Sequence, residues 1–151
     1  MRPLIGLLLL LATLTAGCAT TAPDYRQRLE ALPEHYRQFD LVMGWETRVD
    51  NEQTLVEGVV QNVRYFLMRD LEIWVALLGP QGKPVQREVS FVIPTDLKLD
   101  EIAPFSVRLP MAVKPGDRLR FTYKYRASDG GDGLERGNSW MQSFERVVAP
   151  R

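Results

Sequence analysis

The chain has 151 residues, with 19 lysine and arginine side chains against 19 aspartate and glutamate, one histidine and one cysteine. That length suits one domain with a core of useful size, and the charge balance excludes a global field that would gather nucleic acid, so no nucleic-acid partner is expected. A lone cysteine excludes a disulfide framework and a cysteine metal site, and the reading assigns no metal and no cofactor.

The chain opens with a short positive start, Met1 and Arg2, followed by an apolar run from Leu4 to Leu14. A mature membrane span needs about 20 apolar residues, so this shorter run predicts a cleaved signal over residues 1–17. Leu14-Thr15-Ala16-Gly17-Cys18 closes it with small residues before a cysteine. This segment resembles the lipobox of bacterial lipoproteins, with Thr15 where that motif more often carries Leu. The resemblance implies a mature chain that begins at Cys18, with a diacylglyceryl thioether and an acylated amine. Several acyl chains hold a protein stably on a bilayer, where one is marginal. Ala19 rather than Asp after the cysteine resembles lipoproteins sent to the outer membrane, which places the domain in the cell envelope facing the periplasm.

Cleavage leaves 134 residues with 18 basic and 19 acidic side chains. Residues 18–40 read as a lipidated tether and helical spacer. Tyr25, Leu29, Leu32, Tyr36 and Phe39 recur at helical steps, with Arg26, Arg28, Glu30, Glu34 and Arg37 on the other faces. Pro33 interrupts the pattern because it lacks an N–H and its ring clashes with the preceding turn. Two short helices or one kinked helix are expected, serving as a spacer or as an amphipathic segment against lipid or a partner. His35 falls within this spacer and reads as a surface histidine.

From Leu41 the period changes to two, and residues 41–151 read as an all-β, seven-stranded antiparallel sandwich of the immunoglobulin-like plan. The first strand, Leu41 to Val49, precedes the turn Asp50-Asn51-Glu52-Gln53. The second, Thr54 to Asn62, contains Gly58, a sign of a bulge or a close backbone approach. The third, Leu71 to Leu78, puts Leu71, Ile73, Val75 and Leu77 on one face and Trp74 on the other. Gly79-Pro80-Gln81-Gly82-Lys83 then reads as a hairpin turn. The fourth strand runs from Val85 to Ile93, and Pro94 to Ile102 forms a crossing connection. The fifth alternates Phe105, Val107 and Leu109. After Lys114-Pro115-Gly116-Asp117 the sixth sets Leu119, Phe121, Tyr123 and Tyr125 against Arg118, Arg120, Thr122, Lys124 and Arg126. One side must be core and the other water. The last strand is Trp140 to Val148. Val56-Glu57-Gly58-Val59-Val60-Gln61-Asn62, the turn at Gly79 to Gly82 and Val113-Lys114-Pro115-Gly116-Asp117 are similar to the skeleton of FxLYD-type bacterial envelope domains. That family implies an immunoglobulin-like sandwich of unassigned function.

Four groups of residues invite a function. Tyr65, Phe66, Leu67 and Met68 are consecutive apolar residues between two strands, flanked by Arg64 and Arg69. An exposed apolar run is the mark of a partner-binding surface, and at least two of these side chains are expected in water. Arg118, Arg120, Lys124 and Arg126 form a basic stripe that suits an anionic surface or cross-strand pairing with acids such as Glu145. Asp96, Asp100 and Glu101 form one carboxylate cluster, and Asp129, Asp132 and Glu135 another in a glycine-rich loop; calcium coordination or a solvated turn fits either. A triad hydrolase needs a base poised near neutral pH, and the single His35 sits in the spacer, so no enzyme is expected. The reading is therefore a membrane-tethered, non-catalytic lipoprotein that binds or assembles with an envelope protein. A carrier or sensor of a small apolar or glycan ligand is the alternative, and a cryptic hydrolase the third.

Overall fold

A computed structural model describes residues 24–128 and 138–150. It begins with a helix, α1 (Tyr25–Ala31), whose first turn is capped by Asp24: its Oδ1 accepts from the backbone N–H groups of Arg26 at 3.1 Å and Gln27 at 3.2 Å. These are donors that a helix start leaves without an internal partner. The helix ends before Pro33.

The second helix expected here is instead a strand, β1 (Glu34–Arg37), paired antiparallel with β2 (Leu41–Asp50). Pro33 stops the helix, and the residues beyond it gain more from the sheet edge. The Tyr36 ring lies flat on Phe144 of the opposite sheet, with centroids 3.7 Å apart. The helical spacing of Tyr36 and Phe39 was thus a coincidence of period, and the sheet starts at Glu34 rather than Leu41.

The remaining strands are β3 (Gln53–Asn62), β4 (Leu67–Leu78), β5 (Pro84–Phe91), β6 (Asp96–Leu97), β7 (Ile102–Leu109), β8 (Arg118–Ser128) and β9 (Asn138–Val147). One sheet has the order β1-β2-β3-β7 and the other β5-β4-β8-β9, with β6 on β4. All pairings are antiparallel. Each of the seven expected strands is present, and the short β1 and β6 are additions. Leu41, Met43 and Trp45 face Leu71, Ile73, Val75, Phe121, Tyr123 and Tyr125 across one continuous core. The expected alternation on the third and sixth strands holds.

The other face of the β1-β2-β3-β7 sheet is covered by α1. Leu29 and Leu32 pack on Val42 and Val59, which removes apolar surface that strict alternation would leave in water. Gly58 marks a close approach, as expected: a Cβ there would lie 2.1 Å from the Gly44 carbonyl oxygen and 2.8 Å from the Phe105 ring.

β4 starts four residues earlier than expected because a bulge resets its phase. Arg69 pairs with Arg126 and Glu72 with Lys124, so Asp70 and Leu71 together oppose one residue of β8. Asp70 takes a left-handed conformation, φ 52°, at this point. Met68 and Leu71 can then both face the core although they are three positions apart.

Candidate functional site

The candidate site is the end of the sandwich where the β1–β2 and β3–β4 connections meet the paired residues Tyr125 and Trp140 of β8 and β9. Its foundation is Asp40, which is wholly buried. The phenol of Tyr123 donates to Asp40 Oδ1 at 2.9 Å, and that of Tyr125 donates to Oδ2 at 2.9 Å. The Asp40 carbonyl accepts from the Val63 N–H at 3.0 Å. Asp40 therefore ties the β1–β2 connection to β8 through its carboxylate and to the β3–β4 connection through its carbonyl. Burial and the adjacent carboxylate push both phenols well above the ordinary tyrosine range, and for Tyr123 a hydrogen bond from Trp140 opposes the shift.

Asn62 fixes the second loop. Its side-chain N–H groups donate to the carbonyls of Phe66 at 2.8 Å and Leu97 at 2.9 Å, while its Oδ1 accepts from the Arg64 N–H at 2.8 Å. The chain from Asn62 to Phe66 is thus held as a closed turn.

On this base stands an aromatic patch. Phe39 is 46 % exposed, Tyr65 81 % and Trp140 40 %. Phe39 meets Trp140 edge to face at 5.2 Å, and the Arg64 guanidinium lies 5.3 Å from the Phe39 ring centre. Arg64 Nε is buried and has no hydrogen-bond partner among the described residues. Tyr65 meets Phe66 edge to face at 5.7 Å, and Phe66 stacks on Tyr125 at 6.2 Å.

The four-residue apolar run therefore divides. Tyr65 alone is exposed; Phe66 is half-buried against the core, Leu67 opens β4, and Met68 is wholly buried. The expectation of two exposed side chains fails within the run because the β4 bulge draws Met68 inward. The patch is completed instead by Phe39 and Trp140, which lie far from it in sequence. Sequence reasoning missed Asp40, although a signal existed: two core-facing tyrosines on one strand each need a partner for a buried hydroxyl.

The basic stripe is paired across strands. Arg118 and Arg120 meet Glu145 at 3.5 and 2.8 Å, Lys124 meets Glu72 at 3.8 Å, and Arg126 bonds Asp70. Among the first carboxylates, Asp96 meets Arg69 at 3.5 Å, Asp100 accepts from Gln61 at 3.5 Å, and Glu101 accepts the Lys98 N–H at 2.8 Å. Asp129, Asp132 and Glu135 lie outside the described residues, as does Cys18. His35 is exposed on β1, and its Nε2 donates to the Leu29 carbonyl at 2.7 Å, joining the strand to α1.

At the opposite end an open groove of about 700 Å³ runs between the second half of β2 and the chain after β9. Trp45, Leu119 and Phe121 contribute its apolar wall, with Arg48 and Arg146 among its polar residues.

No protein-family model and no curated protein matches the sequence. Among solved structures, the GAE domain of GGA2p from Saccharomyces cerevisiae is similar, with a TM-score of 0.52 at 9 % identity, covering 78 % of this chain and 97 % of that one. The yeast GGA1 GAE domain has a TM-score of 0.48 at 10 % identity, covering 75 % of this chain and 95 % of that one. The likeness to the GGA2p domain is one of fold: this chain is an immunoglobulin-like β-sandwich.

Proposed function

We propose that the protein is a lipid-anchored, non-catalytic binding module of the bacterial cell envelope, and that the Phe39, Arg64, Tyr65 and Trp140 end is its contact surface. The lipobox-like segment before Cys18 supports the anchor. The observation that carries the binding role is the exposed aromatic patch on a rigid base. Asp40 and Asn62 order both of its loops before any partner arrives, which lowers the entropy cost of association. Aromatic side chains beside arginine are the residue types that dominate binding energy at interfaces. The non-catalytic reading is supported by the polar groups themselves: Asp40 has both oxygens engaged by tyrosine, and His35 is engaged by a backbone carbonyl. The groove at the other end favours a second reading, a carrier of a small apolar ligand, since its volume of about 700 Å³ suits one.

Two variants test the proposal. Cys18→Ser is expected in the soluble fraction after a carbonate wash; retention on membranes would place the anchor elsewhere. Phe39→Ser with Tyr65→Ser is expected to abolish capture of the native envelope component while stability changes by no more than about 1 kcal/mol, as for surface positions. Undiminished capture would move the site away from this end.

A further inference from the structure

The chain enters the domain on the side of the aromatic end. Leu29 of α1 and Leu32, just beyond its end, lie over Gly44 of β2, where a Cβ would meet Leu29 Cδ1 at 3.0 Å and Leu32 Cβ at 3.4 Å. The same helix contacts β3 and β7. Because β3 lies between β2 and β7, α1 crosses the sheet, with its last turn over β2 and its first turn toward β7. The first residue of β7, Ile102, packs against the apolar cluster that α1 forms with Val42 and Val59. Ile102 pairs with Gln61, and Val63 belongs to the same cluster. Asp24 thus opens toward the segment that leads through Asn62 and Val63 to Arg64 and Tyr65.

From Cys18 to Asp24 the chain spans at most about 20 Å when fully extended. With α1 fastened to the sheet rather than standing free, this short link is all that separates the domain from a lipid on Cys18. A lipid on Cys18 would therefore hold Asp24, and the side of the sandwich on which it lies, close to the bilayer.

We infer that the aromatic end is a second contact with the bilayer that carries the Cys18 lipid. Tyr65, Phe39 and Trp140 enter the headgroup region, and Arg64 faces lipid phosphate. The inference rests on the anchored, binding reading above and names the component bound. Tyrosine and tryptophan favour the membrane–water boundary because one end of each ring is apolar and the other polar. An arginine beside them lays its stem on apolar surface and keeps its charge at the phosphates. Arg64 fits that role: its guanidinium lies over Phe39, and no ion pair holds it among the described residues. A lipid alone would fix position and leave orientation open. The second contact fixes orientation and points the groove near Trp45, at the far end, away from the membrane.

Trp140 is a built-in reporter, because Trp45 is buried in the core and Trp74 lies under Arg87 on the outer face of β4. The lipidated mature protein is reconstituted in vesicles of phosphatidylethanolamine and phosphatidylglycerol whose acyl chains are brominated. Quenching of tryptophan emission is expected. It should be lost in Trp140→Phe and fall several-fold in Tyr65→Ser, a change at an exposed position that leaves the near-UV circular dichroism intact. Equal quenching in Trp140→Phe, or none in the parent protein, overturns the inference. If quenching is absent while Cys18→Ser leaves the membrane and a photoreactive group at position 65 captures a protein, the aromatic end serves a protein partner: the binding reading stands and the bilayer contact falls. If Cys18→Ser stays on the membrane, both fall.

Discussion

Replacing Asp40 by Ala removes a carboxylate that joins the two sheets at the aromatic end. Two phenol hydrogen bonds at 2.9 Å are lost from a wholly buried site. A hydrogen bond to a charged acceptor contributes about 1.5–3 kcal/mol net, so the pair is worth about 3–6 kcal/mol. Relief of the carboxylate's desolvation offsets part of this. A net loss of about 3 kcal/mol follows, a large share of the 5–15 kcal/mol that holds an ordinary domain together. Urea unfolding followed by tryptophan fluorescence measures it, with an unchanged slope showing that the folded state is otherwise retained. The triple variant Asp40→Ala, Tyr123→Phe, Tyr125→Phe should recover much of the loss, because no buried hydroxyl then lacks a partner. A loss below about 1 kcal/mol for Asp40→Ala, or a triple variant weaker than the single, would refute the network's role.

Titration gives a second test. Tyr123 and Tyr125 have phenol pKa values raised above the ordinary value of 10.0 by burial and by Asp40. The unfolded chain therefore releases these protons first, so their contribution is fully present below about pH 10 and is lost as pH rises beyond it. Of the five tyrosines, these two should show no phenolate absorbance until alkaline unfolding, and early titration of all five would contradict the burial. Gly58→Ala should cost at least about 2 kcal/mol by overpacking, since its Cβ would sit 2.1 Å from the Gly44 carbonyl oxygen; a neutral thermal melt would show that the two strands part easily. Glu145→Ala removes the partner of both Arg118 and Arg120, yet these exposed pairs should contribute no more than about 1 kcal/mol. A larger loss in denaturant would make the stripe structural rather than peripheral.

The strands were readable because each side of the sandwich obeys alternation, and Leu119, Phe121, Tyr123 and Tyr125 show it without interruption. Reading failed where two patterns overlapped. Tyr36 satisfies a helical step from Leu32, but it also satisfies a strand that sends its ring onto Phe144, and only the partner across the sheets decides between them. The β4 bulge was equally hidden, since Asp70 in a left-handed conformation shifts the phase without any glycine to announce it. The site was half legible. Tyr65 and Arg64 stood out as an apolar run with basic flanks, whereas Phe39 and Trp140 join them only through folding. Asp40 resembled an ordinary polar residue at a strand start until Tyr123 and Tyr125 required an acceptor.

The claim that this end is the working surface of a lipid-anchored module is tested most directly by photocross-linking in intact cells. A photoreactive residue is placed at position 65 of the lipidated protein, or at position 83 in the exposed hairpin turn at the opposite end. Adducts with an envelope component are expected from position 65 and not from position 83. Adducts that form equally at both positions, or only at position 83, would contradict the account.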